Sequence, residues 1–148
     1  MSPLDRMVAV LANASTAGSV DDDVIERAER TLGVVFPPSY RFFLKKFGAA
    51  FGRGYEVAGL FAHARPDRPP MWTDVVKATL RLREASRGEI PAGYIAVSGD
   101  GGDLTYYIDT TRRDLSGECP IVALGPGADD LVIAPTFASF VVQAAEDV

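Results

Sequence analysis

Few side chains in this sequence could do covalent or metal chemistry, and the most suggestive lie in one glycine-rich stretch, Gly99-Asp-Gly-Gly-Asp103. Two carboxylates three residues apart in a flexible loop could hold a hard cation through oxygen. A calcium loop, however, needs more oxygen ligands at fixed steps and a closing bidentate glutamate, which is missing at the required distance. A phosphate-cradling loop would continue into a lysine and a hydroxyl, and neither follows Gly102. The stretch therefore reads as a tight turn whose glycines supply the positive φ a hairpin needs. Asp21-Asp-Asp23 stands where a helix should begin, and carboxylates there favour the positive end of the helix dipole. His63 lies in a segment with Pro66, Pro69 and Pro70, so it reads as an exposed loop residue without the orienting partner and nucleophile that catalysis needs. Cys119, between Glu118 and Pro120, has no local basic group to lower its pKa. One cysteine and one histidine are too few for a zinc site or an internal disulfide. No catalytic constellation, metal site or cofactor site is expected.

The elements that position these residues begin with helices. Leu4, Met7, Val8 and Leu11 have helical spacing. Residues 13–18 are small and polar and read as a loop. A second helix starts near Ser19 or Asp21, either of which can cap it, and buries Ile25, Ala28 and Leu32. Gly33 ends it in the left-handed conformation. Pro37 and Pro38 suit the first turn of a third helix, in which Tyr40, Phe43, Leu44 and Phe47 form one apolar stripe and Gly48 is the stop. Phe36 is placed to fold back on Tyr40 as a hydrophobic staple.

Beyond Gly48 the pattern changes. Gly52 and Gly54 favour a loop, Tyr55 to Phe61 a strand weakened by Gly59, and 63–70 an exposed connection. A helix marked by Trp72, Val75, Val76 and Leu80 runs towards Arg87, with Lys77, Arg81, Arg83 and Glu84 on its wet side. Strands are expected at Tyr94–Val97, Asp103–Asp109, Pro120–Leu124 and Leu131–Ala134, and a closing helix starts at Thr136. Leu104, Tyr106 and Ile108 alternate with Thr105, Tyr107 and Asp109, which predicts a strand with one buried and one open face. Helices first, a mainly antiparallel sheet next and a helix to finish make an α+β domain, read as one domain over 1–148.

The chain has 148 residues, is 47% hydrophobic and has a net charge of −5, which suits an ordinary globular core. No apolar run reaches bilayer-spanning length, and the first residues do not read as a secretory signal, so a soluble cytoplasmic protein is expected. Charge is uneven. After Arg87 the only cations are Arg112 and Arg113, against Glu89, Asp100, Asp103, Asp109, Asp114, Glu118, Asp129, Asp130, Glu146 and Asp147. Such a field disfavours direct nucleic-acid binding and favours a basic partner.

Several of these segments together resemble the SUKH superfamily (Smi/Knr-like domains). Ile25-Glu-Arg-Ala-Glu-Arg-Thr-Leu-Gly33, then Phe36-Pro-Pro-Ser-Tyr-Arg-Phe-Phe-Leu44 and Phe47-Gly48, are similar to its helix ending in Leu-Gly, its Leu-Pro and Tyr-Arg pairs and its closing Asn-Gly. Phe36 stands for the leucine and Phe47 for the asparagine. Gly99–Asp103 before Tyr106–Asp109 resembles the family's glycine-rich hairpin, and Pro120–Val122 and Thr136–Phe140 its late strand and last helix. The resemblance spans about 24–142. It implies an α+β domain without enzymatic activity, in bacteria commonly an immunity protein that binds and neutralises a toxin, often a nuclease, by occlusion. Fungal relatives regulate cell-wall synthesis, so a regulatory or scaffold module is an alternative, as is a small-molecule-binding domain. For the basic toxin partner the interface candidates are Asp100, Asp103, Tyr107, Asp109, Glu118, Asp129 and Asp130, with Tyr107 as aromatic anchor.

Overall fold

The computed structural model describes residues 1–61 and 72–147, so His63 and the connection expected over 63–70 lie outside the described residues. The chain forms α1 (Pro3–Leu11), β1 (Ser15–Thr16), α2 (Asp22–Leu32), α3 (Pro38–Lys46), β2 (Ala50–Gly52), β3 (Tyr55–Val57), α4 (Val75–Ala85), β4 (Tyr94–Gly99), β5 (Thr105–Asp109), β6 (Ile121–Gly125), β7 (Ala128–Ala134) and α5 (Phe137–Glu146). Among the described residues two antiparallel sheets form, ordered β1-β2-β3 and β4-β5-β6-β7. The fold is α+β, as the element pattern predicts.

The corner between α2 and α3 follows from its sequence. Gly33 closes α2 with φ 71°, and Phe36 meets the Tyr40 ring edge-on at 5.2 Å. The Phe36 N–H, left outside both helices, donates to Glu29 Oε2 at 2.7 Å. Along α3, Tyr40, Phe43 and Leu44 are fully buried, each stabilising by about 1.5–3 kcal/mol. Phe137 of α5 packs on Tyr40 at 4.8 Å and on Phe43 at 5.3 Å, so the third helix and the last share one core. The Tyr40 O–H reaches past that core to donate to the Ala58 carbonyl at 2.7 Å, fixing α3 to the chain beyond β3.

The four-stranded sheet is covered on both faces at its centre. Ile95, Val97, Ile108 and Ile121 belong to the core beneath the helices, while Tyr94, Ala96, Tyr107 and Val122 form a second cluster with Leu82 of α4 and Ile90. This overturns the expectation of an open face on β5: Tyr107 and Asp109 are each 2% exposed. A register shift between Ala96 and Ser98 marks a bulge at Val97. There the Ala96 N–H is taken by Thr79 Oγ1 of α4 at 3.0 Å. The Val97 carbonyl accepts from the Ala58 N–H at 2.8 Å, which joins the two sheets.

Other differences have simple causes. Residues 13–18 and 49–54 contain β1 and β2, strands of two and three residues, too short to show a period. The strand expected over 55–61 ends at Val57, and β7 begins at Ala128, before the expected Leu131. Asp21 stands at the α2 N-cap without a side-chain cap bond. Helix α4 begins only after Asp74, whose carboxylate accepts from the Val76 and Lys77 N–H groups, and Leu80, expected inside, is 40% exposed. Arg83, expected in water, instead donates to the Leu32 carbonyl at the end of α2 and to the Ala92 carbonyl.

Gly59 lies at a crossing of main chains. Its N–H donates to the Thr73 carbonyl and its carbonyl accepts from Val75, while the Leu60 N–H donates to the Gly48 carbonyl, all at 2.9 Å. A Cβ on Gly59 would lie 1.7 Å from the Gly48 oxygen, so Gly59→Ala must push the end of α3 away. Its expected cost, read by chemical denaturation, is at least about 1–3 kcal/mol, the usual penalty of overpacking; an unchanged midpoint would show that the crossing is loose.

Candidate functional site

Most of the candidate carboxylates already have structural work. Asp100 Oδ1 accepts from the Gly102 N–H at 2.8 Å and the Leu104 N–H at 3.1 Å, which closes the β4–β5 turn. Glu118 reaches across 79 positions to accept from the Ser39 N–H at 3.0 Å and the Ser39 hydroxyl at 2.7 Å. It thereby caps α3, whose own N-cap, Pro37, has no side-chain acceptor. Asp130 sits at a backbone φ of 53° and accepts from the Tyr94 O–H at 2.5 Å. Burial, joined by that bond, pushes the Tyr94 phenol far above its ordinary range.

Asp109 is the most deeply placed. Its Oδ1 accepts from the Thr111 N–H at 3.0 Å and the Thr111 hydroxyl, and its Oδ2 accepts from Arg112 Nε at 2.7 Å. Burial pushes this carboxyl up, but the hydrogen bonds from Thr111 and Arg112 outweigh it and hold the pKa below the ordinary value. Tyr107 packs on Tyr94 with ring centroids 5.7 Å apart, so the proposed anchor is a core residue. Only Asp103 and Asp129 are exposed and without a hydrogen-bond or ion-pair partner among the described residues. Tyr107, Asp109 and Asp130 meet around Tyr94.

A groove that sequence reasoning missed lies where the β2–β3 and β4–β5 hairpins splay apart. It has a volume of about 650 Å³. Its floor is made of small residues, Ala58, Ala78 and Ala96, where a core would carry large ones. Phe51, Tyr55, Leu82 and Leu104 give the walls an apolar surface. The hairpins are tied at its base by the Ser98 hydroxyl, which donates to the Glu56 carbonyl at 2.6 Å. The Glu56 carboxylate accepts from the Thr73 hydroxyl, and Trp72 lies against Phe51 at 5.3 Å. No sequence motif marks Glu56, Thr73 or Ser98, because each comes from a different segment.

The remaining chemistry is sparse. Cys119 is fully buried, and burial pushes its thiol above the ordinary range, the opposite of an activated nucleophile. Among the described residues no group of three or more His, Cys, Asp or Glu is placed to hold a metal ion. No helix among them is long and apolar enough to cross a membrane.

A family model described as SMI1-KNR4 cell-wall, of the SUKH type, matches residues 5–146. The chain belongs to the SUKH superfamily. No curated protein matches it. In this SUKH domain the residues that carry the resemblance are structural. Leu32 and Gly33 end α2, Phe36 staples Tyr40, Asp100 closes the glycine-rich turn, and Thr136 Oγ1 caps α5 by accepting from the Ser139 N–H at 3.1 Å.

Two outcomes are expected of these contacts. Glu118→Ala removes the acceptor of the Ser39 N–H and should cost about 0.5–2 kcal/mol, as lost caps do, in equilibrium denaturation. Asp109→Asn should cost about 1–3 kcal/mol at neutral pH by weakening a buried charge-assisted cluster. Because the folded pKa of Asp109 is depressed, its contribution is present above the unfolded value of about 3.9. It is lost as pH falls through the lower folded value. The gap between wild type and Asp109→Asn should therefore close in melts taken below that range; a gap constant with pH would show that the charge contributes nothing.

Proposed function

We propose that this SUKH domain is a non-enzymatic, cytoplasmic immunity protein that binds a cognate bacterial toxin, basic and of the nuclease kind, and silences it by occlusion. The observation that supports this reading is the net acidity of residues 88–148, two arginines against ten carboxylates. Those two arginines are committed within the fold. Arg112 is held by Asp109, and Arg113 donates to the Val35 and Gly117 carbonyls. Asp103 and Asp129 meanwhile stand exposed. Nuclease surfaces that hold nucleic acid are basic, so a partner with this field gains association rate and specificity. A direct nucleic-acid ligand is disfavoured by the same field.

A regulatory or scaffold module is the second reading, favoured by the cell-wall description of the family. Affinity capture from the native host at low and moderate salt, followed by mass spectrometry, separates the two. Recovery of one basic protein with a toxin domain, inactive when bound, is the expected result; recovery of envelope-synthesis proteins instead would assign the module. With the toxin in hand, Asp103→Lys combined with Asp129→Lys should slow association about tenfold or more at low salt. The difference should shrink as salt rises, and stability should change by no more than about 0.5 kcal/mol. Stopped-flow measurements returning an unchanged association rate would remove both residues from the interface.

A further inference from the structure

The groove between the splayed hairpins has a chemistry of its own. From Ala50 to Val57 and from Tyr94 to Asp109 the only cation is Arg53, at the tip of the β2–β3 turn, and among the described residues no lysine or arginine lines the groove. The carboxylates on its walls, among the described residues, are those of Glu56 and Asp100. Each carboxylate has an oxygen without a hydrogen bond among the described residues: Glu56 engages Thr73 through Oε1, and Asp100 engages its turn through Oδ1. Beside them stand the rings of Phe51 and Tyr55. Carboxylates next to aromatic faces over an apolar floor suit a cation on an apolar stem, because the ring quadrupole and the anion attract the same charge.

The walls also present main chain. Gly54, Gly99, Gly101 and Gly102 border the groove and carry no side chain to keep another backbone away. The volume, about 650 Å³, is within the range of pockets that enclose ligands.

We infer that this groove receives an extended segment of the protein partner, with an arginine side chain laid along Phe51 and Tyr55 and its guanidinium against Glu56 and Asp100. The inference rests on the immunity reading only for the partner's identity; the preference for an arginine-bearing segment follows from the groove alone. Glu56 is then a specificity-determining residue, and the alanine floor provides the room.

The test uses the full chain and a blocked peptide, acetyl-Val-Arg-Val-Arg-Val-amide, with its citrulline counterpart as the uncharged isostere. Trp72 is the one tryptophan and lies against the groove residue Phe51, so its fluorescence reports occupancy, and amide chemical shifts locate it. The arginine peptide should give a saturable change with shifts confined to the groove walls. The citrulline peptide, and the arginine peptide on Glu56→Gln, should each bind about tenfold more weakly, the loss expected for one charge-assisted contact. Thr105→Phe narrows the groove from an only half-buried wall position and should abolish binding while the circular dichroism melt is kept. Absence of a saturable response, equal binding of the citrulline peptide, shifts elsewhere, or binding unaffected by Thr105→Phe would each overturn the inference. So would a dimer that Thr105→Phe dissolves, which would give the groove to a second copy. The toxin captured by wild type is then offered to Thr105→Phe. Undiminished capture would sink the groove as the contact and leave the immunity reading standing. Arginine-selective groove binding without any captured toxin would do the reverse.

Discussion

Main chain meets main chain where Gly48 and Gly59 cross, and the layers of the domain are set by that contact. The Gly48 carbonyl holds Leu60, the Phe47 carbonyl holds Gly18, and Gly59 holds both Thr73 and Val75. The end of α3, the entry to α2, the exit from β3 and the start of α4 are thus fixed to one another through peptide groups with no side chain between them. Side-chain packing can then be generous elsewhere, because the spacing of the layers does not depend on it. Close-packed interiors transmit small displacements, so the distance between α4 and the sheets is inherited from this crossing.

The bulge at Val97 is the second point where geometry decides chemistry. A regular β4 would have turned the Ala96 N–H and the Val97 carbonyl into an ordinary ladder. The extra residue sends one to Thr79 and the other to Ala58, and the two hairpins separate beyond that joint. The carboxylates of residues 88–148 are largely spent on such internal tasks: closing a turn, capping a helix, pairing with Arg112 and holding Tyr94. A high count of carboxylates in a sequence is therefore a poor guide to how many are free to meet a partner. What reaches outward is the field they sum to.

The parts legible in the sequence are those whose cause is local. The stripe of Tyr40, Phe43, Leu44 and Phe47, the stop at Gly33, the staple from Phe36 and the turn at Asp100 each follow from residues within one or two helical turns of one another. The parts that are not legible have causes distant in sequence. Alternation along β5 predicts one wet face with Tyr107 and Asp109 on it, but a sheet covered on both sides carries no such meaning. Strands β1 and β2 are too short to have a period. The groove was invisible because alanines from three separate segments, Ala58, Ala78 and Ala96, create it by what they lack. Glu118 gave no sign that it belonged to α3.

That last separation bears on how the protein is made. The residue that caps α3 follows Ser39 by 79 positions, so at about 5–20 residues per second the ribosome delivers it roughly 4–16 s after the helix it completes. The aromatic stripe of α3 also waits, since Phe137 is later still. Through that interval Pro37 and Pro38, with φ already near the helical value, bias the start of the helix before its partners have been synthesised. A nascent chain holding an unburied stripe of this size is a natural client for a chaperone.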